Sequence, residues 1–294
     1  MSIAAAEGHF LSADGLKLFY RWWTVPQPRG VCLLVHGIAE HSGRYEHLAQ
    51  ALTAQGLSVW ALDHRGHGRS EGLRGDCRSL EEFVGDLRRL AQQARIGRSA
   101  LEEAPPRAAA QTQRLPLLLV GHSLGGLIAL SFCARYPEEV RAVAVSSPAL
   151  KLTHETPAWK VSLVTATSRV FPTFPFQNGV NPKVLCRDPR VVEAYLKDPL
   201  VHHVLTARCA VALRDAMRES LDLARRLKVP CLFLQAGADE ICDPKTAAEF
   251  SRRADGNGIT FRRYDGFYHE LFNEPEQARV IGDLCQWLDG ILKG

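Results

Sequence analysis

The sequence predicts an α/β protein built on a mostly parallel central sheet flanked by helices, and three observations carry that expectation. Short, continuously apolar runs such as Val31–Val35 and Leu115–Val120 have the composition of strands covered on both faces. These runs alternate with longer stretches of helical periodicity. The chain has 294 residues, 46% of them hydrophobic and 23% charged, which is enough to bury a large core without covalent staples. Alternating strands and helices argue for a parallel sheet with helices on both faces and right-handed crossovers.

The elements follow in order. Phe10–Trp23, interrupted by Asp14-Gly15, reads as an opening hairpin. Val31–Val35 is a buried strand, and Tyr45–Gln55 is a helix stopped by Gly56. Then come strand Leu57–Leu62, helix Leu80–Arg95, strand Leu115–Val120, helix Leu124–Tyr136 and strand Val140–Val145. After a long interval the alternation resumes with strand Val229–Gln235, helix Lys245–Arg253, strand Ile259–Tyr264 and helix Pro275–Leu292. Gly97–Arg114, rich in Ala, Pro, Gln and Arg, is expected to be an exposed loop insertion. Ser147–Leu227 is too long for a connection and is broken by Pro172, Pro175, Pro182, Pro189 and Pro199. The expected organisation is therefore a core formed by residues 1–146 and 228–294, with residues 147–227 as an inserted helical cap.

Charge excludes some functions. A net charge of +4, from 36 basic and 32 acidic side chains spread along the chain, leaves no nucleic-acid footprint. No N-terminal targeting segment is visible, and no apolar run approaches the ~20 residues of a spanning helix. The 8 cysteines are scattered and lack a CxxC pair, so they read as reduced, buried thiols of a cytoplasmic protein.

The strongest chemical signal is Gly121-His122-Ser123-Leu124-Gly125, which satisfies G-x-S-x-G. It directly follows an apolar strand and directly precedes a helix, the context of a nucleophile elbow. A serine hydroxyl needs a base, and the base needs an orienting acid. Asp239 ends the turn after strand Val229–Gln235, and His269 follows strand Ile259–Tyr264, so both lie beyond the carboxyl ends of strands. Glu240 and Asp243 compete for the acid, but Asp243 precedes Pro244 and reads as a helix N-cap. His202 and His203 compete for the base but fall in the insertion. The loop after the third strand, His36–Tyr45, is expected to supply one oxyanion donor through the Ile38 N–H, with the Leu124 N–H as the other.

A metal site is not expected. His36, His41 and His47 lack a matching spaced carboxylate, and Asp63–Ser70 reads as a tight turn held by side-chain hydrogen bonds. Within the insertion, Trp159, Leu163, Ala166 and Val170 recur at helical spacing and are followed by Phe171–Phe176. That stripe reads either as a helix packed over the core or as a face that meets lipid and admits an acyl chain.

Taken together, His36–Tyr45, Asp63–Ser70, Gly121–Gly126 and the Asp239 and His269 loops resemble monoacylglycerol lipases and related bacterial lysophospholipases of the α/β-hydrolase fold. The resemblance spans nearly the whole chain. It implies a serine hydrolase that cleaves esters of monoacylated glycerol, with Ser123, Asp239 and His269 as triad, Ile38 and Leu124 as oxyanion hole, and a helical cap above them. It also implies that Glu40 and Arg44 lie near the polar head of the substrate, and that no metal or organic cofactor takes part. Leu124 stands where the family often carries Met, and Ile38 is bulkier than the usual small residue. A lysophospholipase or broad carboxylesterase is the enzymatic alternative, and a non-catalytic binding protein the alternative of another class. An amine-gripping peptidase would want clustered carboxylates in the insertion, whereas Glu155, Asp188, Glu193 and Asp198 are scattered. A lipid ester is thus the expected partner, and Trp159 with Val170 the expected route to substrate and to peripheral membrane contact.

Overall fold

The computed structural model describes residues 3–101, 115–254 and 258–293. Its principal sheet has 8 strands, which run in space in the order 6–11, 17–23, 57–62, 30–35, 117–122, 142–146, 231–236 and 259–264. The strands are β1 (Ala6–Leu11), β2 (Lys17–Trp23), β3 (Gly30–Val35), β4 (Leu57–Leu62), β5 (Leu117–His122), β6 (Ala142–Ser146), β9 (Cys231–Ala236) and β10 (Ile259–Tyr264). The β1–β2 hairpin and the β2–β4 pairing are antiparallel, and from β4 to β10 every pairing is parallel.

Why the central strands read as unbroken apolar runs is visible in the packing. Successive side chains point to opposite faces of a sheet, and both faces here are covered. Val31, Leu33 and Val35 of β3 enter one core, while Cys32 and Leu34 enter the other. In β9, Cys231 and Phe233 take the first side, and Leu232, Leu234 and Ala236 the second. The first core is closed by α2 (Leu80–Leu101), α3 (Leu124–Arg135), α6 (Ala207–Arg226) and α7 (Pro244–Arg253). The second is closed by α1 (Glu46–Ala54) and α8 (Gln277–Lys293).

Between β6 and β9 lie α4 (Ala158–Val170), α5 (Pro189–Lys197), α6 and a short antiparallel pair, β7 (Pro175–Gln177) with β8 (Val204–Thr206). Helix α6 contributes Cys209, Leu213 and Ala224 to the first core, so the last part of this segment is anchored in the main body. Two expectations need adjustment. Helix α2 continues to Leu101, so residues 97–101 are helical rather than loop, and 102–114 lie outside the described residues. Strand β5 ends at His122 rather than Val120, which leaves no residue between the strand and Ser123.

Candidate active site

Ser123 sits between β5 and α3 with φ 54° and ψ −119°, a conformation that L-residues adopt only under constraint. The constraint is the close approach of the neighbouring backbone. A Cβ on Gly125 would stand 2.0 Å from the Val35 carbonyl oxygen, and one on Gly121 would stand 2.4 Å from the Gly125 oxygen. Glycine at both positions lets α3 begin directly against the end of β3. Ser123 takes the N-cap position, yet its hydroxyl makes no capping bond and so remains available. Burial and the nearby Asp239 charge keep the neighbouring Cys242 thiol protonated, with the Ser123 hydroxyl in hydrogen-bonding reach of it.

The acid and base positions come together. His269 Nδ1–H donates to Asp239 Oδ2 at 2.8 Å, and both side chains are almost fully buried. The other oxygen of Asp239 accepts from the Ile241 and Cys242 amides, each at 2.9 Å. Burial alone would favour a neutral Asp239, but the His269 charge and these hydrogen bonds hold its carboxyl below the usual range. Burial likewise opposes a charged His269; Asp239, with smaller help from Glu270 and Glu40, outweighs it and raises that pKa above 6.5. The rival residues are committed elsewhere. Asp243 caps α7 through the Lys245 amide and the Thr246 hydroxyl. His202 packs on His67 at 4.7 Å between ring centroids, and His203 lies beside Tyr195.

Ser123 and His269 line one narrow pocket with Gly37, Ile38, Glu40, His122 and Glu270. Val180, Leu185, Tyr195 and Ile241 complete it, so the segment after β6 forms part of its wall. The Leu124 N–H opens a helix and has no carbonyl one turn earlier to bond, and the Ile38 N–H makes no backbone hydrogen bond among the described residues. Two backbone donors beside the Ser123 hydroxyl, next to a buried imidazole–carboxylate pair, are the kind of groups that stabilise a tetrahedral oxyanion.

Glu40 and Arg44 occupy different depths. Glu40 faces the pocket, with Oε1 accepting from the Gly37 amide and the Tyr45 hydroxyl at 2.6 Å each. Arg44 stands behind it, bonded to Glu40 at 2.6 Å and bidentate to Glu270 at 2.7 Å. The two remaining sequence candidates lie apart: Trp159 and Val170 are 64% and 69% exposed on the outer face of α4 and do not line the pocket. Sequence reasoning missed His122, Glu270, Tyr195, Val180, Leu185 and Ile241. Of these, only His122 and Glu270, adjacent in sequence to Ser123 and His269, carried a signal of position.

The histidines weighed as metal ligands diverge. His36 packs at a tilt against His64 and bonds the Gly37 carbonyl, His41 pairs with Asp198 at 2.9 Å, and His47 bonds the Phe272 carbonyl. No cluster that could hold a metal ion occurs among the described residues. The Asp63–Ser70 turn is fixed by its own side chains: Asp63 accepts from the Ser42 and Arg69 amides, and Arg65 pairs with Asp86.

A mostly parallel eight-stranded sheet with a serine on the strained turn after a central strand defines an α/β-hydrolase. The family model for serine aminopeptidases, S33 (Hydrolase_4) matches residues 26–276, and the chain belongs to this family. It is 37% identical over 290 residues to the monoacylglycerol lipase of Mycolicibacterium smegmatis, covering 98% of each chain. It is 32% identical to the Homo sapiens monoglyceride lipase over 95% of this chain and 89% of that one. Among solved structures, the monoacylglycerol lipase of Paleococcus ferrophilus superposes with a TM-score of 0.82 at 32% identity, covering 93% of this chain and 99% of the other.

The close approach at the turn has a direct test. Gly125→Ala is expected to cost at least ~2 kcal/mol of stability and nearly all hydrolytic activity, because backbone cannot move aside as a side chain can. Gly282→Ala, in α8 with open space around it, is expected to be neutral or to gain up to ~1 kcal/mol. Chemical denaturation and ester hydrolysis of the two variants check both outcomes.

Proposed function

We propose that this protein hydrolyses monoacylglycerols to fatty acid and glycerol through a Ser123–His269–Asp239 triad. The observation that carries the reading is the buried His269–Asp239 hydrogen bond opening on the same pocket as the strained Ser123. The substrate class is supported by the named activity of the relatives, which match nearly end to end. His269 Nε2 takes the Ser123 proton as Oγ attacks the ester carbonyl carbon, and Asp239 stabilises the imidazolium that forms. The Ile38 and Leu124 amides hold the oxyanion. Collapse of the intermediate breaks the bond to the glycerol oxygen, which leaves with the proton from His269. Water, deprotonated by His269, then attacks the acyl carbonyl carbon, and the bond to Ser123 Oγ breaks as that oxygen takes the proton back from His269, releasing the fatty acid. Glu40 meets the glycerol hydroxyls, with Arg44 fixing its carboxylate from behind.

The family description also raises peptide hydrolysis, and the charge arrangement speaks against it. A free amine would need an available carboxylate, yet Glu40 and Glu270 are both bonded to Arg44. In the segment after β6, Asp188 pairs with Arg190, Glu193 with Lys197 and Asp198 with His41.

Residues 147–227 act in this reading as a cap, anchored through α6 and bearing the acyl-chain entrance. No helix among the described residues is long and apolar enough to cross a membrane. Contact with lipid is instead assigned to the outer face of α4, where Trp159, Leu163 and Val170 stand exposed with Phe171 and Phe174 beside them. Lys160 and Arg169 lie in the same exposed stretch, so the face combines apolar and basic groups as interfacial helices do.

Ser123→Ala and His269→Ala are each expected to lower kcat for a monoacylglycerol by about 10⁴-fold or more, since triad members act as a unit. Asp239→Asn should also fall sharply while Asp243→Asn keeps most activity; the reverse order would assign the acid to Asp243. For wild type, a raised His269 pKa means that protonation removes the base below it, so kcat/KM should climb with pH through an apparent pKa above 6.5. A flat profile from about pH 5 to 9 would exclude histidine as the base. Trp159→Asp combined with Val170→Asp should weaken vesicle binding and long-chain turnover while sparing hydrolysis of a soluble acetate ester. Equal loss on both substrates would make the stripe a packing feature.

A further inference from the structure

A second buried charge cluster stands beside the proposed triad. Glu270, the residue after His269, is 3% exposed and lines the same pocket. Its carboxylate is held by both arms of the Arg44 guanidinium at 2.7 Å and by the Asn273 side-chain amide at 2.8 Å. Arg44 in turn bonds Glu40, which accepts from the Gly37 amide next to the proposed oxyanion donor Ile38. One guanidinium therefore ties the loop after β3 to the loop after β10. The second loop is also pinned from above, where the Glu270 amide donates to the Leu185 carbonyl at 2.8 Å.

The charges in this cluster do not cancel. Among the described residues Arg44 is the cation paired with Glu40 and Glu270. The Tyr45 hydroxyl donates to Glu40 and the Tyr195 ring packs on Arg44, and burial keeps both phenols protonated. Besides Asp239, His122 lies beside His269, 4.7 Å from it between ring centroids. Burial, and next the His269 charge, push the His122 pKa down to about 3, so His122 supplies no compensating proton. A buried ion pair of this kind is poor value for stability, because desolvating the charges offsets their attraction. Its position next to the base calls for another role.

We infer that Glu270 is a positioning residue of this hydrolase: clamped by Arg44, it fixes the His269 loop against the loop after β3 and, together with Glu40, keeps one carboxylate charge in excess over Arg44 beside the His269 ring. The inference rests on His269 being the general base. Besides Asp239, Glu270 and Glu40 are the carboxylates that favour a charged His269 against the cost of its burial. Burial would favour a neutral Glu270 itself, but Arg44 keeps it ionised well below neutral pH, so its charge is present wherever the enzyme works.

The test compares wild type, Glu270→Gln and Glu270→Asp on a soluble short-chain ester, with kcat and KM measured from pH 5 to 9 and folding checked by near-ultraviolet circular dichroism. Glu270→Gln removes the charge and should move the acid limb of kcat/KM down by about half to one pH unit. It should also lower kcat about 3- to 30-fold with KM nearly unchanged. Glu270→Asp keeps the charge but shortens the reach to Arg44, so it should keep the wild-type limb while losing kcat. A Glu270→Gln limb that stays in place overturns the electrostatic role, and an unchanged kcat in both variants overturns the positioning role. If Glu270→Gln does not fold, Glu270→Asp decides: full kcat overturns the inference, and reduced kcat at an unmoved limb supports it. A wild-type profile without an acid limb removes histidine as base, and this inference falls with it.

Discussion

Everything at the site depends on how closely the start of α3 approaches the end of β3. With Gly125 almost touching the Val35 carbonyl, the chain can leave β5, hold Ser123 at a positive φ and enter the helix within a single residue. The same contact brings the Leu124 amide and the loop carrying Ile38 to one place. A bulkier residue at 125 would force the strand and helix apart and separate Ser123 from the loop carrying Ile38. The strain at Ser123 is held by the parallel pairing of β5 with β3 and β6 on either side. Burial on both faces of the sheet supplies the stability that sustains it.

Electrostatics then divides labour among buried groups. Asp239 is kept ionised by His269 and by two backbone amides, with the Gln235 side-chain amide donating at 3.4 Å to the oxygen that faces the imidazole. His122, immediately before Ser123, stays neutral through burial and does not compete for that charge. Asp63, fully buried, accepts from the Ser42 amide and thereby ties the turn after β4 to the loop after β3. Charged side chains at this site thus fix loops against one another. Each loop hangs from the carboxyl end of a different strand, and the backbone of the sheet cannot set their mutual distances.

Much of this was legible in the sequence because the central strands are buried on both faces. Apolar runs such as Val31–Val35 need hydrophobic side chains at every position, alternately for each core, and they stand out from the helices between them. Ser123, Asp239 and His269 were legible because each follows such a run. What remained hidden has physical reasons. Periodicity in Trp159, Leu163, Ala166 and Val170 reveals an apolar stripe but not which way it faces, and here it faces outward. Val180 and Leu185 come to the pocket from loop and short-turn backbone without a repeating pattern, and Tyr195 from the short helix α5, whose direction the sequence does not give. Glu270 carried only its place beside His269, because nothing local shows that its partner, Arg44, comes from the loop after β3.

The central claim is that Ser123 is the nucleophile, made reactive by His269 and Asp239. Covalent trapping tests it most directly: the protein is treated with a fluorophosphonate, digested, and the modified peptide identified by mass spectrometry, with Asp239→Asn and His269→Ala treated in parallel. The account predicts one adduct on the Ser123 hydroxyl, formed rapidly in wild type and at least about 100-fold more slowly in either variant. An adduct on another residue, or labelling of Ser123 that is equally fast without His269, would contradict it.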